Sequence, residues 1–224
     1  MTNFVSESDN IMDKFNRNNY ASTYGELTRE GLHKLLSKIN TRNKVFYDLG
    51  SGKGNVVKYA AEDFPKLKKC KGVELHDDRH NEAVANVEGH QNQNKIEYYN
   101  DDILSHKIQD GDIFYVSNLC FPQEVNEKLY TKLHGEMKPG SCIFCSKPLT
   151  HSKPSNVNTT VKQTWWDASD IYKYIKTSKG LMPINSPLDE IKAKRKTQRR
   201  KLKSSTKKRR PGRPKKYNKT ISTR

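Results

Sequence analysis

Residues 45–54 join an apolar run, an acid and three alternating glycines, and this decade constrains the fold more than any other part of the chain. The apolar run contains Asp48 near its end, and Gly50, Gly52 and Gly54 follow at every second position. A helical pattern of apolar residues begins directly afterwards and stops before a proline. Glycine adds no Cβ and tolerates positive φ, so a strand, a glycine-rich turn and a helix let the backbone approach a nucleotide-like ligand.

Two phosphate-binding versions of this loop do not fit. A P-loop requires Ser or Thr after its lysine, but Lys53 is followed by Gly54, and a dinucleotide fingerprint requires glycine where the chain has Asn55. An acid before the first glycine suits S-adenosylmethionine (SAM), because SAM has no phosphate and its cationic ammonium group is stabilised by a carboxylate. We therefore predict that Asp48 contributes to a SAM site.

The charge of the chain is concentrated at its C-terminal end. Residues 191–224 contain 17 Lys and Arg and no Asp or Glu, which leaves 25 basic and 25 acidic groups for the other 190 residues. The whole net charge of +17 therefore lies in this segment. A segment this basic and without apolar periodicity is predicted to be disordered when free and to bind polyanions, nucleic acid above all. A tail that only aids solubility is the alternative.

One part of this tail resembles an AT-hook. Residues 208–216 contain an Arg-Pro-Gly-Arg-Pro core flanked by basic residues. Such an extended strip fits the narrow minor groove over A·T tracts, where arginine finds enhanced negative potential. Basic runs of this kind also serve as nuclear import signals, so we expect a nuclear location, in a eukaryote or in a virus-infected host cell. The predicted DNA contacts are Arg209, Arg210, Arg213, Lys215 and Lys216.

Zinc-binding and membrane-spanning proteins are disfavoured. Cys142 and Cys145 form a Cys-x-x-Cys pair, but no second pair follows and both lie in the apolar run 141–146. Buried free thiols in a reducing compartment are therefore favoured, and no metal is predicted. The N-terminus is polar and no apolar run approaches the roughly 20 residues that a bilayer span needs, so no membrane partner is expected.

Strand and helix patterns alternate over residues 24–180, which predicts an α/β domain with a mostly parallel sheet. Residues 1–23 are predicted to be a flexible lead-in, and residues 181–224 are predicted to be the basic tail. The expected fold is that of a class I SAM-dependent methyltransferase, Rossmann-like, with seven strands and an antiparallel C-terminal hairpin over 161–166 and 171–177. The other predicted strands are 45–49, 70–75, 96–99, 113–116 and 141–146, and the predicted helices begin at Thr28, Gly54, Asp77 and Pro122.

Polar residues follow the ends of the predicted strands, where open parallel sheets bind ligands. Glu74 lies 20 residues beyond Gly54, at the position that accepts hydrogen bonds from ribose hydroxyls. Asp102, preferred to Asp101, is a candidate for the adenine amino group, and Ile103 could cover the ring. The alternative for Glu74 is an ordinary surface acid.

The fourth predicted strand is followed by Ser117-Asn118 and then by Phe121. Asn118 offers a neutral carbonyl acceptor near the transferred methyl group, and Phe121 could form the wall of a narrow channel. A capping Asn and a core Phe are the structural alternative. Whether Ser117 or Asn118 is the key residue stays open.

Several motifs occur together in an order that resembles one family. They are Tyr24-Gly-Glu-Leu-Thr, the run from Asp48 to Val57, Gly72-Val-Glu, Asn118-Leu-Cys-Phe with Glu124-Val-Asn, Ser146-Lys-Pro, and the aromatic segment from Trp165 to Tyr174. Over residues 20–178 the chain resembles the disruptor-of-telomeric-silencing family, the non-SET histone-lysine methyltransferases. It departs from the family pattern at Ser117, at Ile103, at Trp-Trp-Asp and in its short N-terminal region.

The resemblance implies a function and a set of site residues. The implied reaction is SAM-dependent methylation of a nucleosomal lysine, on the globular core of histone H3 or elsewhere, such as on histone H4, by a monomer that releases S-adenosylhomocysteine. A nucleic-acid methyltransferase and an inactive chromatin-binding module are the alternatives. The implied lysine channel comprises Asn118, Phe121, Trp166 and Tyr174 with Tyr24. The implied SAM site comprises Tyr24, Glu26, Asp48, Gly50, Ser51, Gly52, Asn55, Glu74, Asp102, Ile103 and Asn118.

Overall fold

A computed structural model describes residues 26–149, 159–163 and 169–184. Helices and strands alternate in the first range, and strands alone follow in the other two. The elements are α1 (Arg29–Leu36), β1 (Val45–Leu49), α2 (Asn55–Asp63), β2 (Lys69–Glu74), α3 (Asp77–Ala85), a 3₁₀ turn (Gln93–Lys95), β3 (Ile96–Asn100), β4 (Ile113–Val116), α4 (Gln123–Glu136), β5 (Cys142–Cys145), β6 (Thr159–Val161), β7 (Ser169–Thr177) and β8 (Gly180–Pro183).

The described strands form one mixed sheet in the order β3-β2-β1-β4-β5-β7-β6, and β8 pairs with β7. The first five strands of this order are parallel, whereas β7 is antiparallel to β5, β6 and β8. The chain order reverses between β1 and β4, so the topological switch point lies there. In open α/β sheets the ligand crevice forms at the carboxyl ends of the strands at this point.

Both faces of the sheet are buried, so every residue of β1 and β4 is buried, and all of them except Asp48 are apolar. Along β1, Phe46 belongs to the core formed with α1 and α2, and Tyr47 belongs to the core formed with α4. Asp48 has the same parity as Phe46, and its register partners are Gly72 in β2 and Tyr115 in β4. The strand alternation thus puts the Asp48 side chain on the α1–α2 face.

The N-terminal end of α1 is tied to the C-terminal part of the domain. Thr28 caps the helix as predicted, because its hydroxyl accepts a hydrogen bond from the Gly31 amide at 3.1 Å. The Thr28 amide and hydroxyl both donate to the Lys162 carbonyl, at 3.2 and 3.0 Å. Leu27 and Gln163 form an isolated antiparallel bridge. These contacts fix the chain next to Glu26.

The predicted fold class is confirmed, but its C-terminal end differs in detail. The described part of the sheet has eight strands rather than seven, and the terminal hairpin is formed by β7 and β8. The predicted boundary after residue 180 falls inside β8, and Ile184 beyond it is buried. β8 could not be predicted, because its four residues show no alternation of apolar and polar side chains. It forms by pairing with the end of β7, over Tyr174–Thr177.

The described cysteines are all free thiols. Cys70, Cys142 and Cys145 are buried free thiols, whereas Cys120 is an exposed one. Within the described ranges, no helix has the length and apolarity to cross a bilayer.

Candidate active site

The loop between β1 and α2 has three glycines in the left-handed region. Gly50, Gly52 and Gly54 have φ values of 89°, 52° and 81°. The Gly50 and Ser51 amides donate to the Val73 carbonyl at 2.8 and 3.0 Å, which holds the loop against the end of β2. An ideal Cβ on Gly54 would clash with the Tyr98 hydroxyl, but one on Gly50 would have no neighbour within 4 Å. The backbone at Gly50 therefore faces open space that a ligand can occupy.

Three carboxylates surround this loop. Asp48 is 3% exposed at the end of β1. Glu74 accepts hydrogen bonds from the Gly52 amide through Oε2 at 2.8 Å and from the His76 amide through Oε1 at 2.9 Å. Asn55, the first residue of α2, donates from its side-chain amide to Glu26 at 2.7 Å. The acids come from three separate segments and meet at the topological switch point.

This arrangement is electrostatically unfavourable for anions. Burial first, and then the charges of Glu26 and Glu74, raise the pKa of Asp48 well above its usual value. Burial and the Asp48 charge also raise the pKa of Tyr98 and of Tyr115. A cation next to Asp48 would reverse these shifts, whereas a phosphate would increase the repulsion.

The residues present fit SAM by charge and by shape. Ser51 Oγ is buried without a hydrogen-bond partner in the described structure, so a polar group of a ligand can satisfy it. The open space at Gly50 admits the ligand, and the three carboxylates complement its cationic ammonium and sulfonium groups. Lys53, the residue that suggested a P-loop, pairs instead with Glu82 of α3 at 2.9 Å.

The two acids after β3 differ in their surroundings. Asp101 accepts hydrogen bonds from the Ser105 hydroxyl at 3.1 Å and from the Asp102 amide at 2.8 Å, and it contacts the His106 ring at 3.0 Å. Its carboxylate thus holds its own turn together. Asp102 accepts from the Leu104 amide at 2.8 Å. The next residue, Ile103, is 7% exposed and belongs to the α4 core.

Asn118 lies fully buried after β4 and joins two loops. Its amide nitrogen donates to Asn126 Oδ1 at 2.7 Å and to the Lys147 carbonyl at 3.1 Å, and its oxygen accepts from the Lys147 amide at 2.9 Å. Phe121 is partly buried beside the α4 core, and its carbonyl accepts from the Asn126 side chain at 3.0 Å. The described contacts of Asn118 therefore position the loops after β4 and β5.

The two tyrosines of β7 lie at different depths. Tyr174 pairs with Ile143, is fully buried, and accepts a hydrogen bond from the Leu149 amide at 3.2 Å. Tyr172 pairs with Cys145, the last residue of β5, and is only partly buried. Tyr172 thus lies nearer to the carboxyl edge than the Tyr174 that the sequence favoured. Both tyrosines could be noted in the sequence. Which of them lies nearer to the carboxyl edge depends on the register between β5 and β7.

Sequence reasoning missed Gln163 altogether. Gln163 is 5% exposed and donates to Tyr115 Oη at 3.3 Å and to Ser146 Oγ at 3.1 Å. Its backbone forms the bridge to Leu27, next to Glu26. It therefore connects the cofactor-side loop with the ends of β4 and β5. A glutamine in a polar stretch gives no local signal of such a role.

Some predicted site residues cannot be placed. The predicted site residues between Glu26 and Phe121 in the sequence lie at the carboxyl edge of the sheet. Tyr174 lies further inside the sheet, because it pairs with Ile143, two residues before the end of β5. The following lie outside the described residues: Tyr24, Trp166, Arg209, Arg210, Arg213, Lys215 and Lys216.

Comparison with known proteins decides the family. The sequence profile of the family described as histone methylation protein DOT1 matches residues 3–183. The chain belongs to this family. The resemblance found in the sequence motifs is thereby confirmed.

Two relatives of this DOT1-family chain are enzymes by name. A protein-lysine N-methyltransferase of Saccharolobus islandicus is 32% identical over 124 residues, which cover 55% of the chain and 73% of that protein. A histone-lysine N-methyltransferase of Caenorhabditis elegans, specific for lysine 79 of histone H3, is 28% identical over 148 residues, which cover 59% of the chain but 15% of the nematode protein.

Solved structures confirm the fold. An RNA methyltransferase of Salinibacter ruber, in complex with S-adenosylhomocysteine, superposes with a TM-score of 0.52 at 19% identity, over 67% of the chain and 90% of that structure. The DOT1-family chain is a SAM-dependent protein-lysine methyltransferase with the class I fold, and its methyl donor is SAM. Membership of a family described by histone methylation is in keeping with a chromatin location and a histone substrate.

Proposed function

We propose that this protein methylates the side-chain amine of a histone lysine within the nucleosome. The observation that carries the proposal is the meeting of Glu26, Asp48 and Glu74 around an open glycine loop at the switch point, in a chain of the DOT1 family. The first candidate substrate is a lysine on the globular core of histone H3, and the nematode relative is specific for lysine 79 of this histone. Another histone lysine, such as one of histone H4, is the second.

The acidic residues of the site would bind different parts of SAM, the methyl donor. Asp48 and Glu26 would stabilise the ammonium end of SAM, and Tyr24 is predicted from the sequence to contribute to the same site. Glu74 would accept hydrogen bonds from the ribose hydroxyls, and Ser51 and Asn55 would line the site with Gly50 and Gly52. Glu74 also holds the Gly52 amide, so the carboxylate that binds ribose fixes the loop beneath it. Asp102 would accept a hydrogen bond from the adenine amino group, and Ile103 would cover the ring.

The lysine must lose its proton before it attacks. SAM supplies a methyl group that its sulfonium already activates. The chain aligns the amine with this group and removes water from it, and burial among aromatic side chains lowers the pKa of a lysine. Phe121 and Tyr172 would line this channel, and Trp166 is a further aromatic residue that the sequence predicts for it. Asn118 fixes the two loops between which the amine enters.

The basic tail holds the enzyme on its substrate. Residues 208–216 bind AT-rich minor grooves through the AT-hook-like core, and the 192–201 cluster binds phosphates without sequence preference. The enzyme acts as a monomer in the nucleus of a eukaryote or of an infected host cell.

The test offers three substrates to the full chain in parallel with labelled SAM: nucleosomes, free histones and naked DNA. We expect the label on histone protein, most strongly on nucleosomes. Label on the DNA would establish a nucleic-acid methyltransferase instead. Tight SAM binding with no label on any substrate would indicate an inactive chromatin-binding module.

A further inference from the structure

Outside its basic tail the chain has equal numbers of positive and negative charges, but the two edges of its sheet differ. The carboxyl edge carries the acids of the active site. The opposite, amino-terminal edge carries a group of bases from the α1–β1 loop, from the α2–β2 loop with the first residue of β2, and from the 3₁₀ turn before β3. We call this group the amino-edge cluster; its members are Arg42, Lys44, Lys66, Lys68, Lys69 and Lys95.

Backbone hydrogen bonds bring these bases together. The Asn43 amide donates to the Lys66 carbonyl at 2.9 Å, and the Lys68 amide donates to the Lys44 carbonyl at 2.8 Å. The two loops therefore run side by side. The Lys95 ammonium donates to the Pro65 carbonyl at 3.1 Å, which adds the third segment to the same surface.

The cluster is only partly neutralised. Asp112 pairs with Lys44 at 3.1 Å, and Glu97 pairs with Lys69 at 2.7 Å. Arg42, Lys66 and Lys68 are exposed and make no ion pair with any residue that the structure describes. Asp112 is shared with Lys138, whose ammonium lies 3.3 Å away and extends the positive surface towards β5.

The chemistry of this surface favours phosphate over protein. Protein interfaces have an apolar or aromatic centre. Among the described residues the exposed large hydrophobic side chains are Val84 and Leu119, on α3 and after β4, and neither belongs to the cluster. Binding to a phosphate backbone needs no apolar centre, because it is driven by the release of condensed counterions.

We propose that the amino-edge cluster is a second nucleic-acid contact, which binds the phosphate backbone of double-stranded DNA independently of the tail. Strands of about five residues separate the two edges by about 17 Å. DNA held at the amino edge therefore leaves the catalytic edge free for a protein substrate. The assignment does not depend on which lysine is methylated.

The test uses the full chain and a short DNA duplex without added SAM. Lys66→Gln/Lys68→Gln removes two unpaired charges of the cluster, and Lys58→Gln/Lys128→Gln removes two charges from α2 and α4 as a matched control. Each phosphate contact contributes about 0.9 to the slope of log affinity against log salt. We expect the cluster variant to lower the magnitude of this slope by about 1.8 and the control to leave it at the wild-type value.

Two results would overturn the proposal. One is a slope for Lys66→Gln/Lys68→Gln that equals those of the control and the wild type, with all three proteins showing the same thermal unfolding. The other is a loss of polyglutamate affinity in Lys66→Gln/Lys68→Gln as large as its loss of duplex affinity at the same salt, which would assign the surface to an acidic protein. Neither result bears on methylation, so the proposed function is tested separately.

Discussion

Replacing Asp48 with asparagine removes a buried carboxyl group and keeps the size of the side chain. Asp48 is 3% exposed, and burial, Glu26 and Glu74 raise its pKa. A carboxyl whose pKa is higher in the folded than in the unfolded state destabilises the fold at a pH above the folded value, and this penalty disappears below the unfolded value. We therefore expect apo Asp48→Asn to be at least as stable as the wild type at neutral pH, with an advantage that shrinks as the pH falls.

The same substitution should weaken SAM binding. A hydrogen bond to a charged group is worth about 1.5 to 3 kcal/mol, and about 1.4 kcal/mol corresponds to a tenfold change in Kd. We expect the Kd for SAM to rise about 10- to 150-fold. Because the cation prefers the ionised carboxylate, wild-type affinity should fall as the pH is lowered through the Asp48 pKa, and the Asn variant should lack this dependence.

Calorimetric titration of SAM over a range of pH values, with thermal unfolding of the apo proteins, measures both effects. Glu88→Gln removes an exposed acid beyond α3 and should leave affinity and pH dependence unchanged. Wild-type affinity and pH dependence in Asp48→Asn would refute the role of the carboxylate. A loss of apo stability in this variant would refute the account of its burial.

Three further substitutions test the surroundings of the site. Gly54→Ala places a Cβ against Tyr98 at a φ of 81°, so denaturant unfolding should show a loss of about 1 to 3 kcal/mol, larger than for Gly50→Ala, and equal losses would contradict the clash. Gln163→Ala leaves two buried hydroxyls without their donor and loosens the Glu26 loop, so steady-state kinetics should show a higher KM for SAM with a smaller change in kcat, and an unchanged KM would count against coupling through Gln163. Tyr172→Ala should keep the fold and reduce kcat, whereas Tyr174→Ala should cost about 3 to 5 kcal/mol of unfolding free energy; the reverse pattern would show that Tyr174 lines the channel.

Features of the fold that are set by residues close together in the sequence could be predicted from the sequence. The loop from Asp48 to Gly54 combines a strand end, turn glycines and a helix start within one decade, and β4 was predicted with its observed bounds. The Thr28 cap has a local signature of the same kind. Glu74 was found by its spacing from the loop, because the length of a βα unit is nearly constant in such folds.

The parts that depend on contacts between distant segments were not predictable. Asn118 was expected to face the transferred methyl group, yet its described partners come from α4 and from the loop after β5, which no local pattern joins to it. The depth of Tyr172 and Tyr174 follows from the β5–β7 register. Gln163 acquires its role only when β6 lies beside Leu27.

We propose that the acid-lined loop holds the SAM whose methyl group is transferred to a histone lysine. The most direct measurement is mass-spectrometric mapping of nucleosomes incubated with SAM and the full chain, with Asp48→Asn in parallel. We expect the wild type to methylate a defined histone lysine. At limiting SAM, we expect Asp48→Asn to methylate this lysine to a much smaller extent. Methylation confined to DNA, or equal lysine methylation by both proteins at limiting SAM, would contradict it.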